Sequence, residues 1–267
     1  MRLGIVGAGA LGKRIAIDLD NGKVPGAVVT AMVSRDVARA KVFASTLSHP
    51  PAVVALPELP SYCDMLVEVA GAHLVEEVVR TAVLAGKEVM VLSCGALLER
   101  ADLFDLAQRN GARIHVPSGA IVGLDGVLAA AAGRVDSVTI TTRKPPAGLR
   151  GSPGVERAGI DLDAVRVPTQ VFYGPVIQGY PLFPANVNVA AAVSMAGIGP
   201  HRTILQVIAD PTVTRNTHDV VVEGEFGLMS FHIENVPSED NPRTGRLTAL
   251  SIVAYLRQLS SPLHIGV

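Results

Sequence analysis

The feature that most constrains this chain is a glycine-rich turn, Gly7-Ala8-Gly9-Ala10-Leu11-Gly12, which directly follows the apolar run Leu3 to Val6. The pattern G-x-G-x-x-G between a strand and a helix is typical of the first turn of a dinucleotide-binding sheet. Its first glycine permits a tight turn, its second lets the backbone approach a pyrophosphate, and its third allows close packing of helix on strand. A helix that begins there also presents free N–H groups and partial positive charge. We therefore predict that Gly7, Ala8, Gly9, Ala10, Leu11 and Gly12 bind a cofactor; the alternative is a turn that holds no ligand.

Short β-branched runs alternate with helix-period segments along residues 1–118. The predicted strands are 3–6, 28–33, 65–69, 88–92 and 113–116, and the predicted helices are 10–20, 37–46, 73–85 and 99–110. Strands that alternate with helices form right-handed crossovers and a parallel sheet covered on both faces. The sequence therefore predicts an α/β fold, a Rossmann-type doubly wound parallel sheet, for a dinucleotide-binding domain over residues 1–118.

The pattern changes after about Ser118. Polar and apolar residues alternate in the segments 135–142, 203–208, 218–223 and 228–234, as in half-solvated antiparallel strands, and 187–196 has a helical pattern. We predict a second, α+β domain over residues 119–240, and we assign substrate binding, catalysis and dimerisation to it. Within residues 241–267 the amphipathic segment Leu247 to Leu259 is expected to pack back on the first domain, because its sheet would otherwise have one thinly covered face.

Composition excludes several classes of protein. The 267 residues are 49% hydrophobic and 18% charged, with a formal charge of −1, so a basic nucleic-acid-binding surface is not indicated. The apolar residues never run for the ~18 positions that a membrane span needs, and the N-terminus enters the first strand without a signal peptide. Cys63 and Cys94 lack the spacing of a metal site or a disulfide framework. The expectation is a soluble, cytoplasmic protein that uses no metal and binds neither nucleic acid nor membrane.

The end of the second predicted strand bears on cofactor choice. An NAD-selective site usually places an acid there for the ribose 2′-hydroxyl, and this chain reads Ser34-Arg35-Asp36. An arginine at that point can hold a 2′-phosphate, although Arg35 could equally be a solvated residue at a helix start. We predict that Ser34 and Arg35 contact the cofactor, and the choice between NAD and NADP stays open.

Two polar clusters stand out in the second domain. The segment 183–192 holds Asn186 and Asn188; one of them could cap a helix while the other bonds a carboxamide. His218 lies in the segment 214–219 with Arg, Asn and Asp neighbours, a setting suited to proton transfer, although a histidine in a polar turn is often only a solvated surface residue. His73 is a weaker second candidate.

Seven segments together resemble the L-aspartate dehydrogenases. They are G-A-G-A-L-G at 7–12, V-E-V-A-G-A-H at 67–73, V-P-S-G-A-I-V-G-L-D-G at 116–126, F-P-A-N-V-N-V-A-A-A at 183–192, R-N-T-H at 215–218, N-P-R-T-G at 241–245 and L-T-A-L-S-I-V-A at 247–254. The resemblance spans nearly the whole chain, and its later motifs are much more specific than the glycine turn.

The resemblance implies oxidation of L-aspartate by NAD or NADP to iminoaspartate, which feeds NAD biosynthesis or is hydrolysed to oxaloacetate and ammonia. It also implies the reverse amination. His218 matches the family's active-site histidine, and Ala120 and Asn188 match positions that contact the cofactor. A half-solvated sheet that could bury its second face makes a homodimer the expected assembly.

Some assignments stay open. Substrate carboxylates need cationic or N–H partners, and the candidates are Arg143, Lys144, His201 and Arg215. Two other functions compete with the dehydrogenase hypothesis. One is an imine reductase of the dihydrodipicolinate type, whose expected basic substrate motif is absent here, and the other is a non-catalytic protein that senses a dinucleotide.

Overall fold

The computed structural model describes residues 1–184, 187–236, 238 and 245–266. These residues form two compact units. The first comprises Met1–Pro117 and Ala249–Ile265, and the second comprises Ser118–Thr248 with Gly266. In the described part of the chain, no helix has the length and apolar character needed to cross a bilayer.

The first unit is built on a six-stranded parallel sheet. Its strands are β1 (Arg2–Val6), β2 (Val28–Val33), β3 (Ala52–Val53), β4 (Met65–Glu68), β5 (Glu88–Val91) and β6 (Ile114–His115), and its helices include α1 (Ala10–Asp20), α2 (Val37–Ala44), α3 (Val75–Leu84) and α4 (Ala101–Arg109). The strand order is β3-β2-β1-β4-β5-β6, and every pair is parallel. This is the strand order of a Rossmann fold, so the predicted fold class is confirmed.

The second unit is built on a five-stranded mixed sheet. Its helices are α5 (Leu124–Ala131), α6 (Pro153–Ala158), α7 (Val176–Gly179) and α8 (Asn188–Ala196), and its strands are β7 (Val135–Lys144), β8 (Thr169–Pro175), β9 (Ile204–Ala209), β10 (Asn216–Gly224) and β11 (Gly227–Asn235). The order is β11-β10-β7-β9-β8, in which β7 and β9 run parallel and the other neighbours antiparallel. The α+β character is confirmed, whereas β8, α6 and α7 were not predicted.

A last helix, α9 (Arg246–Ser260), contributes to the core of the first unit. Its residues Ile252, Val253 and Leu256 are buried in one apolar cluster with side chains of β1 and α1. The strand β1 is buried from Leu3 to Val6, as expected for a parallel strand covered on both faces. The predicted amphipathic segment 247–259 therefore lies within a helix that covers part of this core.

One face of the second sheet changes character along its length. Successive residues of a strand point to opposite faces, so alternate residues share one face. The buried face carries Val138, Ile140, Thr142 and Lys144 on β7 and His218, Val220 and Val222 on β10. Because His218 pairs with Thr142 and Val222 with Val138, this face is apolar at one end and polar at the other.

Candidate active site

The glycine turn is fixed by two close approaches of the backbone. Gly7 has a φ of +114°, and an added Cβ there would lie 2.9 Å from backbone atoms of Val69 and Ala70. At Gly12 an added Cβ would overlap the carbonyl oxygen of Gly7. Neither position admits a side chain, so α1 starts close against the end of β1, as the motif predicts.

The middle glycine leaves the turn open. Apart from Gly9 and its two chain neighbours, the described residues have no atom within 4 Å of the position that a Cβ of Gly9 would occupy. The helix α1 begins at Ala10, and its first residues, Ala10 to Gly12, present backbone N–H groups and a partial positive charge. The Lys13 N–H donates to the carbonyl oxygen of Gly9 at 3.0 Å. An open backbone at a helix N-terminus fits the diphosphate of a dinucleotide, which residues 7–12 would hold.

The end of β2 lies beside this turn, because the Gly7 N–H donates to the carbonyl oxygen of Val33 over 3.0 Å. Ser34 is half-buried and Arg35 is exposed. The Asp36 carboxylate caps α2 by accepting a hydrogen bond from the Arg39 N–H at 2.9 Å. One carboxylate oxygen of Asp36 therefore has a structural role.

A buried carboxylate organises the neighbouring loops. Glu68 ends β4 and is fully buried. Its Oε1 accepts the N–H groups of Ala70 and Gly71, both at 2.8 Å, and its Oε2 accepts the N–H of Ser93 at 3.0 Å. The Ser93 hydroxyl donates to Oε1 at 3.2 Å. Glu68 thus joins the loops that follow β4 and β5 at the carboxyl edge of the sheet, where open α/β sheets bind ligands.

His218 lies in the strand β10 and is 4% exposed, so the interpretation of a solvated turn is wrong. Its Nδ1 lies 3.0 Å from Oγ1 of Thr142 on the adjacent strand. Burial first and the charge of Lys144 second lower the pKa of His218 to about 4, against a smaller opposing effect of Asp219. The imidazole is therefore neutral at neutral pH.

The basic residues that the sequence offers as partners for substrate carboxylates lie at different places in the structure. Lys144 lies on the face of His218 and is 5% exposed. Arg143 faces the other side, where it lies 3.7 Å from Asp210 and 3.9 Å from Asp219. Arg215 is exposed, as is His201.

The remaining predicted residues lie in the second unit. The Ala120 carbonyl accepts a hydrogen bond from Asn235 Nδ2 at 2.9 Å. Asn235 pairs with Asn216, two residues before His218, so Ala120 and His218 lie at the same end of the sheet. Asn188 is the first residue of α8 and Val187 occupies the N-cap position, so Asn188 is not the cap residue. The predictions for Asn186 and for residues 241–244 fall outside the described residues.

Sequence reasoning missed Glu68 and Thr142. Glu68 stands inside the motif V-E-V-A-G-A-H, and its one signal was a charged residue in an otherwise apolar strand. Thr142 gave no signal, because its contact with His218 joins residues 76 positions apart.

Comparison with known proteins shows which family the chain resembles. A model of the aspartate dehydrogenase C-terminal family matches residues 125–259, and a model of the homoserine dehydrogenase NAD-binding domain matches residues 7–117. The L-aspartate dehydrogenase of Methanocella arvoryzae is 47% identical, with 99% of each chain covered. That of Bradyrhizobium diazoefficiens is 45% identical, with 100% of this chain and 94% of the relative covered.

Solved structures extend the similarity. The aspartate dehydrogenase of Thermotoga maritima superposes with a TM-score of 0.78 at 28% identity, covering 100% of this chain and 99% of that one. A homoserine dehydrogenase from Thiobacillus denitrificans shares the fold, with a TM-score of 0.61 at 13% identity over 98% of this chain and 74% of that one. The chain is therefore an oxidoreductase that uses NAD or NADP, and it belongs to the aspartate dehydrogenase family.

Proposed function

We propose that this enzyme oxidises L-aspartate to iminoaspartate with NAD or NADP, and that it also catalyses the reverse amination. Iminoaspartate would feed NAD biosynthesis or be hydrolysed to oxaloacetate and ammonia. The observation that carries the proposal is the buried, neutral His218 in the segment matched by the aspartate dehydrogenase C-terminal model.

Residues 7–12 would hold the cofactor at its diphosphate, because the backbone at Gly9 is open and α1 begins directly after it. A bound nicotinamide would supply the acceptor for the hydride of the substrate α-carbon. We propose cofactor contacts for Ser34 and Arg35 from their place beside the turn. For Ala120 and Asn188 the proposal rests on the family motifs that contain them.

His218 would serve as the proton acceptor. The α-amine must be neutral before the hydride leaves, and a neutral imidazole can take its proton or activate the water that attacks the imine. Nε2 has a free lone pair only if the proton sits on Nδ1, from which it would be donated to Oγ1 of Thr142. Thr142 is therefore proposed to fix the tautomer and the ring orientation.

Use of NADP as well as NAD is supported by the end of β2. The carboxylate of Asp36 is engaged in capping α2, and the exposed Arg35 precedes it. The second carboxylate oxygen of Asp36 can accept from a ribose 2′-hydroxyl, and an exposed guanidinium suits a 2′-phosphate, so this strand end fits either cofactor.

We also propose a homodimer through the second face of the five-stranded sheet. That face carries the exposed apolar side chains Tyr173, Val221 and Leu228. They would form the apolar part of an interface whose rim is polar. Light scattering of the purified protein at micromolar concentration tests this, and the mass of a single chain would contradict it.

The reaction itself is tested by absorbance at 340 nm. The purified protein is incubated with NAD or NADP and with L-aspartate, D-aspartate or L-glutamate. We expect the rate of cofactor reduction to be far higher with L-aspartate than with D-aspartate or L-glutamate. Cofactor binding without turnover of L-aspartate would instead favour the sensor hypothesis.

A further inference from the structure

Lys144 is a buried charged residue of the second unit to which the proposed mechanism gives no role. Lys144 is the last residue of β7 and follows Thr142 by two positions, so the two side chains share a face. Thr142 pairs directly with His218 on the adjacent strand. Lys144 and His218 therefore lie on one face at the polar end of the sheet.

The charge of Lys144 acts on His218, since it is one of the causes that lower the pKa of the imidazole. The lysine side chain is itself 5% exposed, and its stem passes Gly148, where an added Cβ would lie 3.8 Å from Lys144 Cβ. Burial lowers the pKa of the ammonium to about 8, so it remains mostly charged at pH 7. Keeping a cation out of water costs folding free energy, and such groups concentrate at functional sites.

The other cationic candidates are placed differently. Arg143 points to the opposite face and lies near Asp210 and Asp219. Arg215 is exposed and pairs with Glu234 over 3.4 Å. Of the four candidates drawn from the sequence, Lys144 is the one that shares a buried face with His218.

We propose that Lys144 binds a carboxylate of the dicarboxylic substrate and so places the amine-bearing carbon against His218. The proposal rests on the proposed function, because it assumes an amino-dicarboxylate substrate. An ammonium in a site withdrawn from water attracts a carboxylate more strongly than one at the surface. The bound carboxylate would also offset the charge that lowers the pKa of His218, and so make the imidazole a better base once substrate is present.

The first test compares steady-state kinetics of the wild type with Lys144→Met, which keeps the length of the side chain and removes its charge. We expect the KM for L-aspartate to rise about 10- to 100-fold, the loss typical of one charged contact. Lys144→Arg keeps a cation and should recover part of that loss. If the methionine variant fails to fold, Lys144→Gln replaces it. Arg157→Met, at an exposed position of α6 in the same unit, is the control, and its KM should stay within about threefold of the wild type.

The second test measures binding rather than turnover. Succinate carries two carboxylates and no amine, and calorimetry in the presence of NADH gives its Kd. We expect Lys144→Met to raise the Kd of succinate at least 10-fold while the Kd of NADH stays unchanged. An unchanged KM for aspartate together with an unchanged Kd for succinate would overturn the proposal. A purely structural role for Lys144 would appear as a lower thermal midpoint with those two constants unaltered.

Kinetics with asparagine, which has an amide in place of the β-carboxylate, show which carboxylate of aspartate Lys144 contacts. If Lys144 binds the β-carboxylate, Lys144→Met should lose the preference for aspartate over asparagine. If it binds the α-carboxylate, the KM should rise for both; either result supports a carboxylate contact. Failure of the proposed function is seen separately, because the wild type would then fail to oxidise L-aspartate before any variant is compared.

Discussion

The lowered pKa of His218 makes the free energy of unfolding depend on pH. The unfolded imidazole binds a proton below about pH 6.5, and the folded one only below about pH 4, because burial and Lys144 disfavour the cation. The unfolded state therefore binds more protons between these values, so this contribution to stability is complete above pH 6.5 and is lost as the pH falls toward 4.

The loss due to His218 should reach at most about 3 kcal/mol at pH 4, which the two pKa values set. Urea unfolding at pH 7 and pH 4.5 measures it in the wild type and in His218→Asn, which cannot take up that proton. We expect the variant to lose less stability between the two pH values. An equal loss in both proteins would mean that His218 is solvated.

Glu68 illustrates how one buried residue can shape a ligand site. Its carboxylate accepts three backbone N–H groups and one hydroxyl, and a glutamine would turn an NH₂ group toward some of these donors. We expect Glu68→Gln to weaken binding of NADH about 10- to 100-fold, measured by fluorescence titration, because the loops after β4 and β5 lose their shared acceptor. Glu77→Gln, on an exposed position of α3, is the control. Unchanged NADH binding in Glu68→Gln would assign the carboxylate to stability alone.

At the scale of elements, the turn between β1 and α1 contains one glycine that the fold requires, Gly12, and one that we expect to contact the cofactor, Gly9. An added methyl at Gly9 meets open space among the described residues, whereas one at Gly12 overlaps the backbone of Gly7. We expect Gly9→Ala to keep the thermal midpoint of the wild type and to weaken NADH binding at least 10-fold, because the methyl fills the approach of the diphosphate. Gly12→Ala should lower the thermal midpoint itself. Wild-type NADH affinity in Gly9→Ala would place the cofactor elsewhere.

The helix α9 ties the end of the chain to the first unit. Leu256 is fully buried in the cluster that includes β1 and α1, and Leu259 on the same helix is 37% exposed. Truncation of a buried leucine removes apolar contact and leaves a cavity. We expect Leu256→Ala to lower the free energy of unfolding by about 2–5 kcal/mol and Leu259→Ala by less than about 1 kcal/mol, both measured in urea. Equal small effects would show that α9 is not part of this core.

Some elements could be predicted because their signals are local. The run Leu3 to Val6 and the glycines after it are adjacent in sequence, and β1 and α1 form where the pattern places them. The strand β8 was missed because its residues Thr169–Pro175 include Gly and Pro and carry no regular alternation. It forms because β9 offers it a partner edge, and such a tertiary contact leaves no local signal.

Across the whole molecule, the proposed chemistry divides between two units. The glycine turn and Glu68 belong to the first, and His218 and Lys144 belong to the second. His218 could be proposed from the sequence because its polar neighbours and a family motif singled it out. Its burial could not, because it depends on pairing with Thr142, and the position of Lys144 depends on the same pairing of β7 with β10. When the role of a residue depends on pairing between strands far apart in sequence, that role can be assigned only from the structure.

The central claim is that His218 carries proton transfer in the oxidation of L-aspartate. The direct measurement is the rate of cofactor reduction at 340 nm with saturating L-aspartate, for the wild type and for His218→Asn, together with the Kd of NADH for both. We predict turnover by the wild type, a rate lower by about 10² or more in the variant, and an NADH affinity that is nearly the same in the two. Turnover by His218→Asn at the wild-type rate would contradict the account.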